Sequence, residues 1–251
     1  MDRYKKILDI LQEKKNVTVQ YLSLELNISS VTIRKDLRLL ENKKLLYRNH
    51  GGATLTKPFV NDTPVNVKEF VNAKYKSAIG KEAAKIIDND QYILIASGTT
   101  VLAFARHINP SNKITIVTSA LNVAVELLNK ENIEVLQLGG YIRKSSNSVI
   151  GHYSELILKE TACSKLFLGV DGIDLDYGLS TSNALEAHLN QQMIESSEEV
   201  VILADSSKFG KRSFGRICGI NSVNHIITDK GISKEIAEKI ESLGIVLTIA
   251  E

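Results

Sequence analysis

The chain has 251 residues, 43% hydrophobic and 24% charged, which allows one large or two ordinary domains with apolar cores and reads as globular. Its first twenty residues lack the apolar stretch of a signal peptide and no apolar run approaches the roughly 18 residues needed to cross a bilayer, so a cytoplasmic location with no membrane partner is expected. Cys163 and Cys218 show no CxxC spacing, which argues against a disulfide framework or a metal site, and the net charge of +2 conceals +6 over residues 1–58 and −4 over the remainder. Such asymmetry suggests a nucleic-acid-binding module joined to something else.

Tyr4, Ile7, Leu8 and Leu11 place one apolar stripe on a helix from about Arg3 to Lys15. The short β-type segment Val17-Thr18-Val19 leads into a second helix carrying Val19, Leu22 and Leu26, which stops at Asn27. Ser29 or Ser30 can cap a third helix whose Ile33, Leu37 and Leu40 face the core. Helical geometry puts Val31, Thr32, Arg34, Lys35 and Arg38 on the opposite, basic side. A helix, a tight turn and a second helix with a basic outer face form a helix-turn-helix, whose second helix enters the major groove of duplex DNA. The expected DNA-binding residues on it are Ser30, Val31, Thr32, Arg34, Lys35 and Arg38, with Arg34 and Lys35 the best placed to reach base edges. Behind it, Leu45 to Arg48 and Ala53 to Leu55 read as a hairpin about Asn49-His50-Gly51-Gly52, a wing that brings Arg48 and His50 toward phosphate or the minor groove.

The stretch Ser30-Val31-Thr32-Ile33-Arg34-Lys35-Asp36-Leu37, followed by Leu40-Glu41 and Arg48-Asn49-His50-Gly51-Gly52-Ala53, resembles the amino-terminal signature of the DeoR family of bacterial transcriptional regulators. Two positions depart from that family's pattern. Lys35 stands where a second Arg is usual, and an ammonium cannot replace a guanidinium fork in bidentate base readout. Lys44 replaces the glycine expected after the recognition helix.

Lys57 to Pro64 holds two of the three prolines and reads as a linker, giving a DNA-binding domain over 1–57, a linker over 58–66 and a larger domain over 67–251. A helix from about Val67 to Ile87 is followed by seven short apolar strands: Tyr92 to Ala96, Ile114 to Thr118, Glu134 to Leu138, Leu166 to Val170, Val200 to Ala204, His225 to Thr228 and Ile245 to Ile249. Helical patterns occupy most of the gaps. The alternation predicts an open, mainly parallel α/β sheet, with ligands beyond the carboxyl ends of its strands.

Ser97-Gly98-Thr99-Thr100 follows the first of these strands and opens a helix, which makes an anion cradle of backbone N–H groups and hydroxyls. It has neither the GK[ST] of a P-loop nor GxGxxG, and no cofactor is implied. Gly139-Gly140 with Arg143, Asp171-Gly172 and Asp205-Ser206-Ser207-Lys208 stand at other strand ends. Cations around a cradle, with carboxylates that accept sugar hydroxyls, suit a phosphorylated sugar. The expected effector-binding set is Ser97, Gly98, Thr99, Thr100, Ser119, Gly140, Arg143, Asp171, Gly172, Asp205 and Lys208.

The body also resembles the DeoR carboxy-terminal sensor domain, through Ser97-Gly98-Thr99-Thr100, Gly139-Gly140 with Arg143, Leu168 to Asp174, Gly178-Leu179-Ser180-Thr181 and Asp205 to Phe209. That domain is similar to the ribose-phosphate isomerase and CoA-transferase superfold, and the resemblance implies a phosphorylated sugar or sugar derivative as effector. Asp174-Leu175, Gly178 to Asn183, Glu186-Ala187 and Leu189-Asn190 look most like the branch responding to N-acetylgalactosamine or tagatose metabolites. Ala96 and Ser119 depart from the family where an acid and an Asn are usual, so the resemblance does not carry the ligand's identity.

The expected protein is a sugar-phosphate-responsive regulator, usually a repressor in this family, acting as a homodimer or homotetramer because one winged helix binds operator DNA weakly. An isomerase with an added DNA-binding head would use Asp171, Asp174 or Glu186 as a base, but no residue order compels catalysis and an enzyme is not expected. A constitutive architectural protein would leave the α/β body without a ligand.

Overall fold

The structure, a computed structural model, describes residues 3–14, 16–43, 45–49, 51–54, 62–87 and 90–251. Of the sequence expectations, those for Lys44, His50, Leu55 and the first part of the linker, Pro58 to Asn61, lie outside these residues. The chain divides into two compact units, Met1–Val60 and Asn61–Glu251.

The first unit contains, in order, α1 (Arg3–Lys14), β1 (Asn16–Thr18), α2 (Val19–Leu26), α3 (Ser30–Asn42), β2 (Tyr47–Asn49) and β3 (Gly52–Thr54). The stripe on α1 buries Ile7 and Leu11 completely. Thr18 Oγ1 accepts the Tyr21 amide at 3.0 Å and caps α2, which ends at Asn27 in the left-handed conformation that Asn tolerates, with φ 52°. Ser29 Oγ accepts the Thr32 amide at 3.3 Å and caps α3. Ile33, Leu37 and Leu40 are each at most 2% exposed, a burial that stabilises by roughly 1.5–3 kcal/mol apiece. Arg3 ties α1 to α3, its Nη2 donating to Asp36 Oδ1 at 2.7 Å and its Nε lying 2.6 Å from Oδ2.

The strands form one antiparallel sheet in the order β1-β3-β2. The segment expected only to lead into α2 is thus a third strand of the wing. The first wing strand begins two residues later than expected because Leu46 turns into the core, where it is 1% exposed. Gly52 faces Thr18 so closely that a Cβ there would stand 1.8 Å from the Val17 carbonyl oxygen, so no side chain fits.

The second unit begins with α4 (Val65–Lys68), α5 (Ala73–Lys85), β4 (Tyr92–Ile95), α6 (Thr99–His107), β5 (Ile114–Thr118), α7 (Leu121–Leu127), β6 (Ile133–Gln137), β7 (Tyr141–Arg143), β8 (Ser148–Ile150) and α8 (His152–Lys159). It continues with β9 (Cys163–Gly169), β10 (Gly172–Asp174), β11 (Gly178–Thr181), α9 (Ala184–Glu195), β12 (Ser197–Leu203), β13 (Gly215–Cys218), β14 (His225–Asp229), α10 (Lys234–Ser242) and β15 (Val246–Ala250). Seven strands make a parallel sheet in the order β15-β14-β12-β9-β4-β5-β6. Their alternate residues enter two cores, as a sheet covered on both faces requires. Ile93, Ile95, Phe167, Val201 and Leu203 pack with residues of α5, α6 and α7, whereas Leu94, Leu166, Leu168, Val200 and Ile202 pack with residues of α8, α9 and α10.

Three features differ from the sequence expectation. The helix expected over Val67 to Ile87 is two helices, because Asn72 at φ 57° breaks it and donates from Nδ2 to Asp205 Oδ1 at 3.0 Å. Asp62 to Asn66, expected as linker, belong to the α/β unit: Val65 is 7% exposed and its amide donates to the Ser145 carbonyl at 2.7 Å. Two small antiparallel additions, the hairpin β7–β8 and the sheet β10-β11-β13, fall in segments too short to show a period in sequence. Cys163 is buried in β9 and Cys218 half-buried in β13, and burial pushes both thiols up to about 11.

Candidate functional site

On the first unit, α3 presents a continuous basic face. Arg34, Lys35 and Arg38 are exposed, as is Val31 at 61%, while Ser30 and Thr32 are half-buried at the helix start. Thr32 Oγ1 lies 2.9 Å from Ser29 Oγ, so its hydroxyl takes part in the cap. Arg48 is exposed on β2, its amide donating to Glu41 Oε1 at 2.9 Å and its guanidinium 3.6 Å from Glu41 Oε2. An exposed pair of that length is weak enough to be exchanged for a phosphate.

On the second unit, the chain leaves β4 on one side of the sheet through β5 and β6 and returns on the other side at β9, so the order reverses between the adjacent strands β4 and β9. A cleft opens beyond their carboxyl ends, of about 580 Å³ including its mouth. Ser97, Gly98, Thr99 and Thr100 form one wall. Gly98 adopts φ 137°, a conformation that strains any residue with a Cβ, and α6 starts immediately after it with no side chain capping its first amides. Those amides and the positive end of the helix are therefore available to an anion.

Three acids and three bases also line the cleft: Asp62, Asp171 and Glu186 with Lys68, Arg143 and Lys208. Asp171, 7% exposed, accepts Lys68 Nζ at 2.6 Å and the Ser182 amide at 3.1 Å. Burial raises its pKa, but the charge and hydrogen bond of Lys68, with the charge of Lys208 and the Ser182 amide, together hold it below the ordinary carboxylate value. Glu186, 6% exposed, accepts Ser97 Oγ at 2.8 Å and lies 3.5 Å from Arg143 Nη1. The Thr181 hydroxyl sits 3.3 Å from Asp171 Oδ2 and 3.5 Å from Glu186 Oε2 and can serve only one of them at a time. Arg143 donates to Asp62 at 2.5 Å, whereas Lys208 has no ion-pair partner among the described residues.

Seven of the expected effector residues thus line one cleft: Ser97, Gly98, Thr99, Thr100, Arg143, Asp171 and Lys208. Four do not. Ser119 is 2% exposed and its carbonyl accepts the Val149 amide, which uses it to seat β8. Gly140 packs against the Ile150 carbonyl, and Gly172 is paired with Ser180 in the small sheet. Asp205 caps the following helical turn, accepting the Ser207 amide at 3.1 Å together with Asn72. Asp174, weighed as a base, is held by Arg212 at 2.8 Å and by the amides of Asp176 and Tyr177, which fixes a turn instead of offering a proton acceptor.

Lys68, Asp62, Thr181, Ser182 and Asn190 were not expected in the cleft, and Glu186 was weighed only as a base. Lys68 and Asp62 precede the sheet and fold back to it. A signal did exist for Thr181 and Glu186, in their membership of the motif beginning at Gly178.

The profile described as "DeoR-like helix-turn-helix domain" matches residues 3–59, and that described as "DeoR C terminal sensor domain" matches residues 71–230. The "Uncharacterized HTH-type transcriptional regulator YulB" of Bacillus subtilis strain 168 is 34% identical over 247 residues, spanning 98% of this chain and 95% of that protein. The "Glycerol-3-phosphate regulon repressor" of Escherichia coli K12 is 30% identical over 227 residues, spanning 90% of each. Among solved structures, ribose 5-phosphate isomerase A of Neisseria gonorrhoeae is 19% identical, with a TM-score of 0.40 over 55% of this chain and 53% of that one. With family matches over both units and relatives aligned along nearly its whole length, this chain belongs to the DeoR family, DNA-binding regulators of transcription rather than enzymes.

Proposed function

We propose that the protein represses sugar-metabolism genes in the cytoplasm by holding operator DNA with α3 and the wing, and that a phosphorylated sugar in the α/β cleft controls this binding. The observation that carries the reading is the composition of the cleft. It combines an uncapped helix start and the cation Lys208, whose positive charge draws an anionic ligand into the cleft, with the buried carboxylates Asp171 and Glu186, suited to sugar hydroxyls. Asp171 is a poor candidate for a general base, since its pKa is held low and its oxygens already accept from Lys68 and the Ser182 amide.

The DNA side rests on Arg34, Lys35 and Arg38, with Arg48 behind them on the wing. Base-edge contact is assigned to Arg34, and phosphate contact to Lys35 and Arg38. One such head buries little surface on DNA, so the protein acts as a homodimer or homotetramer with paired heads on half-sites. The ligand changes operator affinity only by binding the DNA-competent and DNA-incompetent states unequally.

Operator gel shifts against a panel of sugar phosphates test this reading. One of them is expected to change the shift of wild-type protein, while Lys208→Ala retains the shift and loses the response. A Lys208→Ala protein that responds as wild type does would remove the cleft from the mechanism, and loss of the shift in every condition would remove the operator.

A further inference from the structure

Three ties hold residues 62–68 across the cleft. The Val65 amide donates to the Ser145 carbonyl at 2.7 Å, and Lys68 Nζ lies 2.6 Å from Asp171 Oδ1. The Asp62 carboxylate accepts Arg143 Nη2 at 2.5 Å, Ser182 Oγ at 3.0 Å and Ser145 Oγ at 3.2 Å. A guanidinium and two hydroxyls converging on a pair of oxygens form a donor set that holds a phosphate as well as a carboxylate.

The two members of the Asp62–Arg143 pair differ in burial. The Arg143 side chain is 11% exposed and that of Asp62 is 44% exposed. Arg143 stripped of its anion would be a buried charge balanced, among the described residues, by Glu186 alone at 3.5 Å, whereas Asp62 can return to water at little cost. Charge points the same way. The acids and bases of the cleft balance with Asp62 in place, so an entering phosphate would share one guanidinium with another acid. With Asp62 withdrawn, the phosphate takes that guanidinium alone.

We infer that Asp62 is the internal occupant of a phosphate position formed by Arg143, Ser145 and Ser182, and that the phosphate of an entering ligand displaces it. This rests on the reading of the cleft as a sugar-phosphate site and adds where the phosphate sits and what it expels. Displacement has a defined consequence, because Ser145 gives its hydroxyl to Asp62 and its carbonyl to Val65. Loss of the first contact loosens the second. Asp62 stands two residues beyond Val60, the last residue of the first unit, so the loosened stretch is the one that continues into the DNA-binding unit. Phosphate and the tether thus compete for one arginine, which gives the ligand the unequal affinity for two states that control requires.

Full-length wild type, Asp62→Ala and Asp62→Asn are titrated by calorimetry with inorganic phosphate, glucose 6-phosphate and tagatose 6-phosphate, and exchange of the Val65 amide is followed by mass spectrometry or NMR. Removal of the competitor is expected to tighten phosphate binding about tenfold in Asp62→Ala. Protection of Val65 falls on phosphate addition to wild type and is already low in the variant without it. Wild type that binds one of these compounds, with Asp62→Ala binding no tighter or Val65 equally protected, overturns the displacement while leaving the cleft as the ligand site. No binding of any of the three by wild type or by folded variants overturns the site reading and the displacement together.

Discussion

Lys68 and Asp171 show at the scale of single residues how the site is built. Lys68 is the last residue of a one-turn helix, yet its ammonium reaches the end of a central strand and keeps a buried carboxylate charged. Lys68→Met leaves that carboxylate with the Ser182 amide, the Thr181 hydroxyl and the more distant charge of Lys208, and is expected to cost about 1–3 kcal/mol in urea unfolding. Lys76 lies deeper, 4% exposed, with Nζ donating to the Lys68 carbonyl at 2.5 Å. Burial lowers its pKa from 10.5 to about 8. Between those two values the unfolded chain holds a proton that the folded one has released, so this residue makes stability rise as pH increases from about 8 to 10.5. Urea unfolding at pH 7.5 and pH 10 should show that rise in wild type and a smaller one in Lys76→Met. Sequence could name Ser97, Thr99, Thr100, Arg143, Asp171 and Lys208 because strand ends and glycine turns announce them. It could not name Lys68 or Asp62, whose place depends on a fold-back fixed by one valine and one serine carbonyl.

At the scale of elements, the long helix foreseen after the linker is interrupted at Asn72. Nothing in the apolar spacing forbids its continuation, and a bond from Asn72 to Asp205, 133 positions away, selects the left-handed turn. A residue with a Cβ and no amide pays for that conformation, so Asn72→Ala is expected to lower stability by about 1–2 kcal/mol and Asn72→Gly by less, as thermal unfolding would register. The parallel strands were legible because residues buried on both faces read as apolar runs. The β10-β11-β13 sheet was not, since Gly172–Asp174 and Gly178–Thr181 are shorter than any periodic signal and their pairing depends on Gly215–Cys218, far along the chain. The helix-turn-helix was the most legible part, with Asn27 and Ser29 punctuating apolar stripes that close on Ile33, Leu37 and Leu40, although the cap at Thr18 was not read.

At the scale of the whole molecule, the charge of +2 is the sum of a basic DNA-binding unit and an acidic sensor. The basic face of α3 should make operator affinity fall steeply with salt, and Arg38→Ala should reduce the slope of log K against log salt by about 1 in filter-binding or anisotropy titrations. The two units also differ in how their contacts lie along the sequence. In the first, Val17 pairs with Ala53 and, among the described residues, every strand is complete by Thr54. In the second, β9 lies between β4, some seventy residues earlier, and β12, which ends only at Leu203. Pairings of that span form slowly and only after most of the unit is available, while local ones form early. Because synthesis runs from the amino terminus, a nascent chain exposes a finished winged helix well before the centre of the sensor sheet can close. For that interval the polypeptide on the ribosome has its DNA-binding surface before its ligand cleft exists.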